Sequence, residues 1–261
     1  MHIHLQNRAL LSIKGSDART FLQGIITNDI NKISAENAIY TCLLTPQGKF
    51  LFDFFVAEMD GVLVIDCDSS RKDELKKRLL MYKLRSNVEI EDISGKYKVV
   101  AILSDGKIEN GISYKDPRDL RMGARAVIPA SDKTQGGDIA EYEKLRISLA
   151  IPDGAKDLEP EGTFPLHNRM DELNAIDFEK GCYVGQEVTT RSKHRGNIRR
   201  TLYTVESPVP LNSGAEIKTA DGKLAGKITS SIGGLGIAML EKEYVESHVP
   251  LLCGDIAIRV K

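Results

Sequence analysis

No apolar run in this chain reaches the roughly 18 residues that a membrane-spanning helix needs, which excludes a helical membrane protein. No two of its four cysteines form a C-x-x-C pair. Cys42, Cys67, Cys182 and Cys253 lie far apart, which argues against a structural zinc site and further against a disulfide framework. Three of them stand in apolar surroundings and are expected to be buried filler; Cys182 does not. A charge surplus is missing too. The net charge is −1, so there is no global field to draw in nucleic acid, and direct nucleic-acid binding is not expected. The nucleotide signatures G-x-x-x-x-G-K-[ST] and post-strand G-x-G-x-x-G are absent, as is the G-x-S-x-G of hydrolases. The opening "MHIHLQNRALLSIKG" has neither a signal-peptide core nor an Arg-rich leader, and the expectation is a cytoplasmic protein.

What is present is ordinary for a globular chain: 261 residues, 41% hydrophobic and 28% charged, enough for two compact domains. "GSDARTFLQGIITNDI" predicts a helix with Ser16 as N-cap and Ala18, Phe21, Leu22 and Ile25 on one face. "IYTCLLTPQGKFLFDFFVAEMDGVLVID" predicts strands joined by turns at "TPQGK" and "MDG". "SSRKDELKKRLLMYKLR" predicts a helix with Leu75, Leu79 and Tyr82 inward and its basic residues in water. Strand patterns return at "VEIEDIS" and "KYKVVAIL", giving an α+β arrangement. "DIAEYEKLRISLAIP" predicts another helix, with Ile139, Tyr142, Leu145 and Leu149 inward and Pro152 preventing its continuation. "DGAKDLEPEGTFPLHNR" has no periodic pattern, and a loop of that length in a compact chain is usually functional. Beyond about residue 198 short strands predominate. Ile256, Ile258 and Val260 alternate, Asp221-Gly222 predicts a type I′ turn, and the unit reads as a small β-barrel.

Two places carry residues that a packed core does not need. "FEKGCYVGQEVTTRSKHRG", Phe178 to Gly196, sets a cysteine between glycines and ahead of a basic run. Gly181 and Gly185 allow close backbone approach, and a helix opening at Gly185–Glu187 would aim free N–H groups at an anion or lower the pKa of Cys182. A tight turn with Cys182 as filler fits the same spacing. The run Arg191, Lys193, Arg195, Arg199 and Arg200 is either a solvated face or a rim for an anionic ligand. Asp53 interrupts the apolar strand "GKFLFDFFV". Alternation places it with Leu51 and Phe55 on one face, where a carboxylate needs a partner or a ligand.

"KGCYVGQE" at Lys180–Glu187 resembles the signature of the YgfZ-like proteins, folate-binding relatives of the glycine-cleavage T protein (aminomethyltransferase). "FLQGIITNDI", "LLTPQGKFLFDFFV" and "YEKLRISLAIPDGAKDLEPEGTFPL" are similar to the same family, as is the C-terminal β unit. The resemblance implies an α+β three-part ring: a ferredoxin-like part interleaved with a second α+β part over residues 1–198, closed by a small barrel over 199–261. It implies tetrahydrofolate or a one-carbon derivative in a central channel, and a role in assembling or maintaining iron–sulfur enzymes, tRNA-modifying ones among them. The partners it implies are folate and iron–sulfur client proteins or assembly factors. It assigns chemistry to Cys182 and Asp53, and folate contacts to Asp53, His167, Arg169, Tyr183, Gln186, Glu187, Arg191 and Arg195. No metal ligands are expected. One position departs from the family: His167 stands where many relatives have Glu or Gln, and a histidine cannot offer a pterin the bidentate acceptor pair of a carboxylate. An aminomethyltransferase is the alternative within the same fold. A tRNA-binding module using Arg191–Arg200 is the alternative from another class, disfavoured by the net charge. Whether a reaction is catalysed stays open.

Overall fold

The structure is a computed structural model and describes residues 1–103, 108, 110–133, 136–196 and 198–261. In chain order the elements are β1 (His2–His4), β2 (Arg8–Lys14), α1 (Ala18–Gln23), β3 (Ile39–Leu44), β4 (Phe50–Met59), β5 (Val62–Asp68), α2 (Lys72–Lys83), β6 (Glu89–Asp92), β7 (Tyr97–Ile102), β8 (Ile112–Lys115), β9 (Ala124–Pro129), α3 (Ile139–Ser148), α4 (Gly154–Asp157), α5 (Gln186–Arg195), β10 (Arg200–Glu206), β11 (Glu216–Thr219), β12 (Leu224–Ile232), β13 (Leu235–Glu241), α6 (Lys242–Glu246), β14 (Leu251–Cys253) and β15 (Ile256–Val260). Among the described residues no helix is long and apolar enough to cross a membrane.

Three β units result. The first is a five-stranded sheet ordered β3-β4-β5-β2-β6. Within it β2, α1, β4, β5, α2 and β6 form the ferredoxin-like part, with β3 added at the edge. The second is a four-stranded sheet, β1-β7-β9-β8; the chain starts in it, leaves for the five strands and returns, which is the interleaving expected. The third is a closed barrel, β10-β13-β12-β11-β14-β15. Its last strand alternates as predicted, Ile256, Ile258 and Val260 half-buried and Ala257 and Arg259 exposed.

One core cluster lies between the outer face of the five strands and α1 and α2, holding Phe21, Leu22, Phe54, Val56, Leu75 and Leu79. A larger cluster joins the other face of β4, through Phe55 and Ala57, to the four-stranded sheet, the loop after α3 and the barrel residues Leu202 and Ile237. Strand β4 is apolar on both faces because both are covered.

Several local expectations are corrected. The first helix starts at Ala18 behind Asp17, not Ser16. Ser16 instead bonds Asp17 and Asn87 (3.1 and 3.0 Å), which ties the turn to the β6 side. Leu51 does not share a face with Asp53. A register shift between Leu43 and Leu44 puts an extra residue into β4, and Leu51 turns into the other core. Its carbonyl accepts from Arg71 at 2.5 Å. In α3, Ile139 is exposed and Arg146 is fully buried, because ion pairs compensate the arginine. Asp221 is not left-handed, so the β11–β12 turn is not type I′; Gly222 alone takes positive φ, 85°.

Candidate functional site

Asp53 is held on β4 opposite Cys42 of β3 and is partly exposed among buried neighbours. The Tyr40 hydroxyl donates to its Oδ2 at 2.7 Å. Burial raises its carboxyl above the usual carboxylate range, against the opposing pull of Arg8 and the Tyr40 hydrogen bond. The loop that follows α3 closes over it. A Cβ on Gly154 would stand 1.6 Å from Asp53 Oδ1, so only glycine lets α4 reach the carboxylate. That long aperiodic loop is thus an ordered part of the site. What remains beside Asp53 is a cavity of about 20 Å³, lined by Arg8, Asp53, Arg118, Tyr142, Asp153 and Gly154 among others.

Around this cavity lies a buried charge network. Arg8 and Arg125 both donate to Asp66 (2.6 and 2.5 Å), and Arg118 forks onto Asp116 (3.0 and 2.7 Å). The Arg125, Arg118 and Arg8 guanidinium carbons sit 4.0, 4.9 and 5.7 Å from the Phe55 ring centre, so one aromatic ring serves three cations. The Tyr142 hydroxyl accepts from Arg118 and Arg125 (3.0 and 3.3 Å). Burial would raise the Tyr142 phenol, yet the two guanidiniums outweigh it and hold it below the usual range. Burial likewise opposes ionisation of Asp66 and Asp116, and their arginines win. Arg146 pairs with Glu143 (2.7 Å) and with Asp157 of α4 (3.0 Å) and donates to Ser230 of the barrel (3.0 Å). It thereby ties α3, the loop and the barrel together. Sequence reasoning missed this network. Its signal was the one that revealed Asp53, a charge inside an apolar pattern: Asp66 in "VLVIDCD", Arg125 in "ARAVIP", Arg146 in "KLRISL".

A wider cleft of about 620 Å³ adjoins, lined by His4, Gln6, Asn7, Asp138, Glu143 and Lys156 among others. Asn7 lines both spaces and donates to Asp153 at 3.3 Å, so it stands between the cleft and Asp53.

The signature loop is a second centre. Cys182 is an exposed free thiol, whereas Cys42 and Cys67 are buried and Cys253 is half-buried. The loop carrying Cys182 is anchored on both sides. Before it, the Lys180 ammonium donates to the carbonyls of Gln23, Ile26 and Asn28 (2.8, 2.6 and 2.9 Å), the turn that ends α1. Burial lowers this lysine to about 8. Those bonds commit Lys180 to the backbone, so it is not a free cation beside Cys182. After the cysteine, Tyr183 enters the larger core cluster and Val184 packs on the other, so adjacent residues wedge into both. Gly185, with φ 85°, then opens α5 against the β3–β4 turn. Gly181 differs: its φ is not positive, and an added Cβ would meet nothing within 4 Å.

The predicted folate residues do not all line the Asp53 cavity. Tyr183 is a buried core residue, its phenol pushed up to about 12 by burial. Glu187 and Arg191 pair with each other on the exposed face of α5 at 2.7 Å. Gln186 is the half-buried first residue of that helix. Arg169 takes a left-handed turn (φ 58°) and pairs with Glu172 at 2.8 Å. His167 is half-buried with its ring edge-on to Phe164. Burial, then Lys49 and Arg200, lower its pKa. The side chain of Arg195 lies outside the described residues. Of the predicted set only Asp53 lines the cavity. Among the described residues no three His, Cys, Asp or Glu side chains gather at metal-binding distance.

Residues 4–103 match the GCVT N-terminal domain, and residues 199–261 match the CAF17 C-terminal beta-barrel domain. The fold is similar to that of glycine cleavage system aminomethyltransferase T from Bartonella henselae. The TM-score is 0.79 over 99% of this chain and 84% of that one, at 13% identity, a likeness of fold alone. The molecule is thus of the GcvT-like α+β class with a six-stranded C-terminal barrel. Sequence relatives narrow this further. The iron–sulfur cluster assembly factor IBA57, mitochondrial, of Homo sapiens is 32% identical over 96% of this chain and 80% of its own length. Its counterpart in Mus musculus is 33% identical over 93% and 78%. The chain belongs to the IBA57/CAF17 (YgfZ) family of iron–sulfur cluster assembly factors.

Proposed function

We propose that the protein supports the assembly or maintenance of iron–sulfur enzymes, tRNA-modifying ones included, by presenting Cys182 to iron–sulfur partner proteins. The observation that carries this is the contrast within the signature: a single exposed thiol on a loop pinned by Lys180, Tyr183, Val184 and Gly185. A lone thiol offers one ligand, so an iron–sulfur cluster in transit would take its other ligands from the partner. Gly181 leaves the approach to the sulfur open. Cys182→Ser keeps the size and exposure of the side chain, so folding stays unchanged while support of iron–sulfur enzymes in cells is lost. Full activity of client enzymes in cells carrying only the serine variant would refute the role.

Tetrahydrofolate or a one-carbon derivative is the small molecule we assign to the protein. The Asp53 cavity does not fit a pterin as it stands, because about 20 Å³ holds a single water. The adjoining cleft of about 620 Å³ falls within the range of small-molecule sites, and Asn7 connects it with the Asp53 side. Calorimetric titration with tetrahydrofolate tests this. Binding weakened by about 1–3 kcal/mol in Asp53→Asn supports engagement of the carboxylate. Equal affinity confines the ligand to the cleft, and no heat of binding removes folate while leaving the role of Cys182 standing. Residues 1–198 are the unit we assign to this ligand and 199–261 the barrel. The four free thiols fit a reducing compartment such as the cytoplasm.

A further inference from the structure

The C-terminal half of α2 is at odds with the rest of the surface. Between Leu75 and Val88 stand five cationic residues, Lys76, Lys77, Arg78, Lys83 and Arg85, and no acidic one, in a chain whose net charge is −1. The side chains of Lys77, Arg78, Lys83 and Arg85 make no hydrogen bond or ion pair among the described residues. At the centre of this charge Leu80, Met81 and Leu84 are 47%, 60% and 86% exposed, three of the eight large exposed apolar side chains among the described residues. Leu79 and Leu75, on the inward face, are fully buried, so the helix is already seated and this outer patch is surplus to packing. Leu84 also takes φ 47° and ψ −112°, backbone that glycine adopts freely and leucine only under strain. A solvent-facing leucine held in a strained conformation has no role in the core.

We propose that this face docks an acidic protein surface with an apolar centre. The partner's chemistry follows from complementarity: unpaired cations ring a small apolar spot, the arrangement of an interface core and its charged rim. A second copy of the chain does not fit, because a two-fold contact sets the five cations against themselves. Nucleic acid gains nothing from three exposed aliphatic side chains. A bilayer would receive only those three, since the remaining apolar positions of α2 are locked in the core. Val184 of the signature loop packs against the same core cluster that holds Leu75 and Leu79, so the helix bearing the patch and the loop share one core. The inference stands independently of folate binding.

The test places a photo-cross-linking residue at Met81 of the full chain in cells and identifies what is captured. The expected product is a protein cross-linked through an acidic segment. The double variant Lys77→Glu/Arg85→Glu should reduce the yield about tenfold, and added salt should weaken binding of the purified pair. Leu84→Gly relieves the strain, so it should raise the melting temperature while still lowering the cross-link yield; a patch without a partner would show only the first effect. Capture of nucleic acid, lipid or a second copy, capture through a non-acidic surface, absence of any cross-link, or a yield indifferent to charge reversal each overturns the proposal. Circular dichroism of the variants confirms that they fold.

Discussion

Replacing Gly185 by alanine strikes the point where the signature meets the rest of the fold. The new methyl group would lie 2.7 Å from the Thr45 carbonyl oxygen, 3.0 Å from the Gly48 Cα and 3.1 Å from the Leu44 Cβ. Two of these are backbone atoms of the β3–β4 turn, which cannot rotate aside. Gly48 is itself at φ 74° and would meet Val188 at 2.9 Å if it carried a Cβ, so the two glycines make room for each other. Two costs add. Left-handed backbone costs a non-glycine residue about 1–2 kcal/mol. Overpacking a contact that cannot relax costs about 1–3 kcal/mol. The sum, about 2–5 kcal/mol, is a large share of a typical stability of about 5–15 kcal/mol. Urea denaturation should show the midpoint falling at nearly constant slope. Gly181→Ala is the paired control. It meets no atom and needs no positive φ, so its stability change should stay within about 0.5 kcal/mol. A loss below about 1 kcal/mol in Gly185→Ala, or equal losses in the two variants, would refute the view that one glycine is structural and the other keeps an approach open.

Asp66→Asn should destabilise the fold by about 3–5 kcal/mol, because it strips the shared acceptor from two buried guanidiniums. The folded pKa of Asp66 lies below its unfolded value, so its stabilisation is present above the ordinary carboxylate range and is lost as pH falls through the folded pKa. The gap between wild type and variant in thermal melts should therefore narrow in acid, and a gap constant from neutral pH downward would refute the pairing. Mild alkylation with peptide mapping should label Cys182 first and Cys253 more slowly. Cys42 and Cys67 should label last, since burial pushes both thiols up, Cys67 to about 12. Equal labelling rates would mean that the signature loop does not present its sulfur.

Much of the architecture was fixed by local pattern. Apolar spacing placed Phe21, Leu22, Leu75 and Leu79 inside, strict alternation placed Ile256, Ile258 and Val260, and the long signature "KGCYVGQE" led to the family. Each depends on residues near one another in the chain, or on a motif read whole. Tertiary structure decided what depends on distant neighbours. Arg146 sits at an inward position because Asp157 and Glu143 neutralise it, and Ile139, at a position of equal apolar promise, faces water. Leu51 left the face of Asp53 because of an extra residue in β4, which alternation alone does not reveal. Two glycines of one signature look alike in sequence, yet one touches a turn over 130 residues away in the chain and the other touches nothing. Lys180 stands two residues before a thiol in the sequence, yet its ammonium caps three carbonyls at the end of α1. A charge in an apolar stretch announces that a partner exists; only the folded chain, by bringing Arg8, Asp66, Asp116, Arg118 and Arg125 around one phenylalanine, says which partner satisfies it.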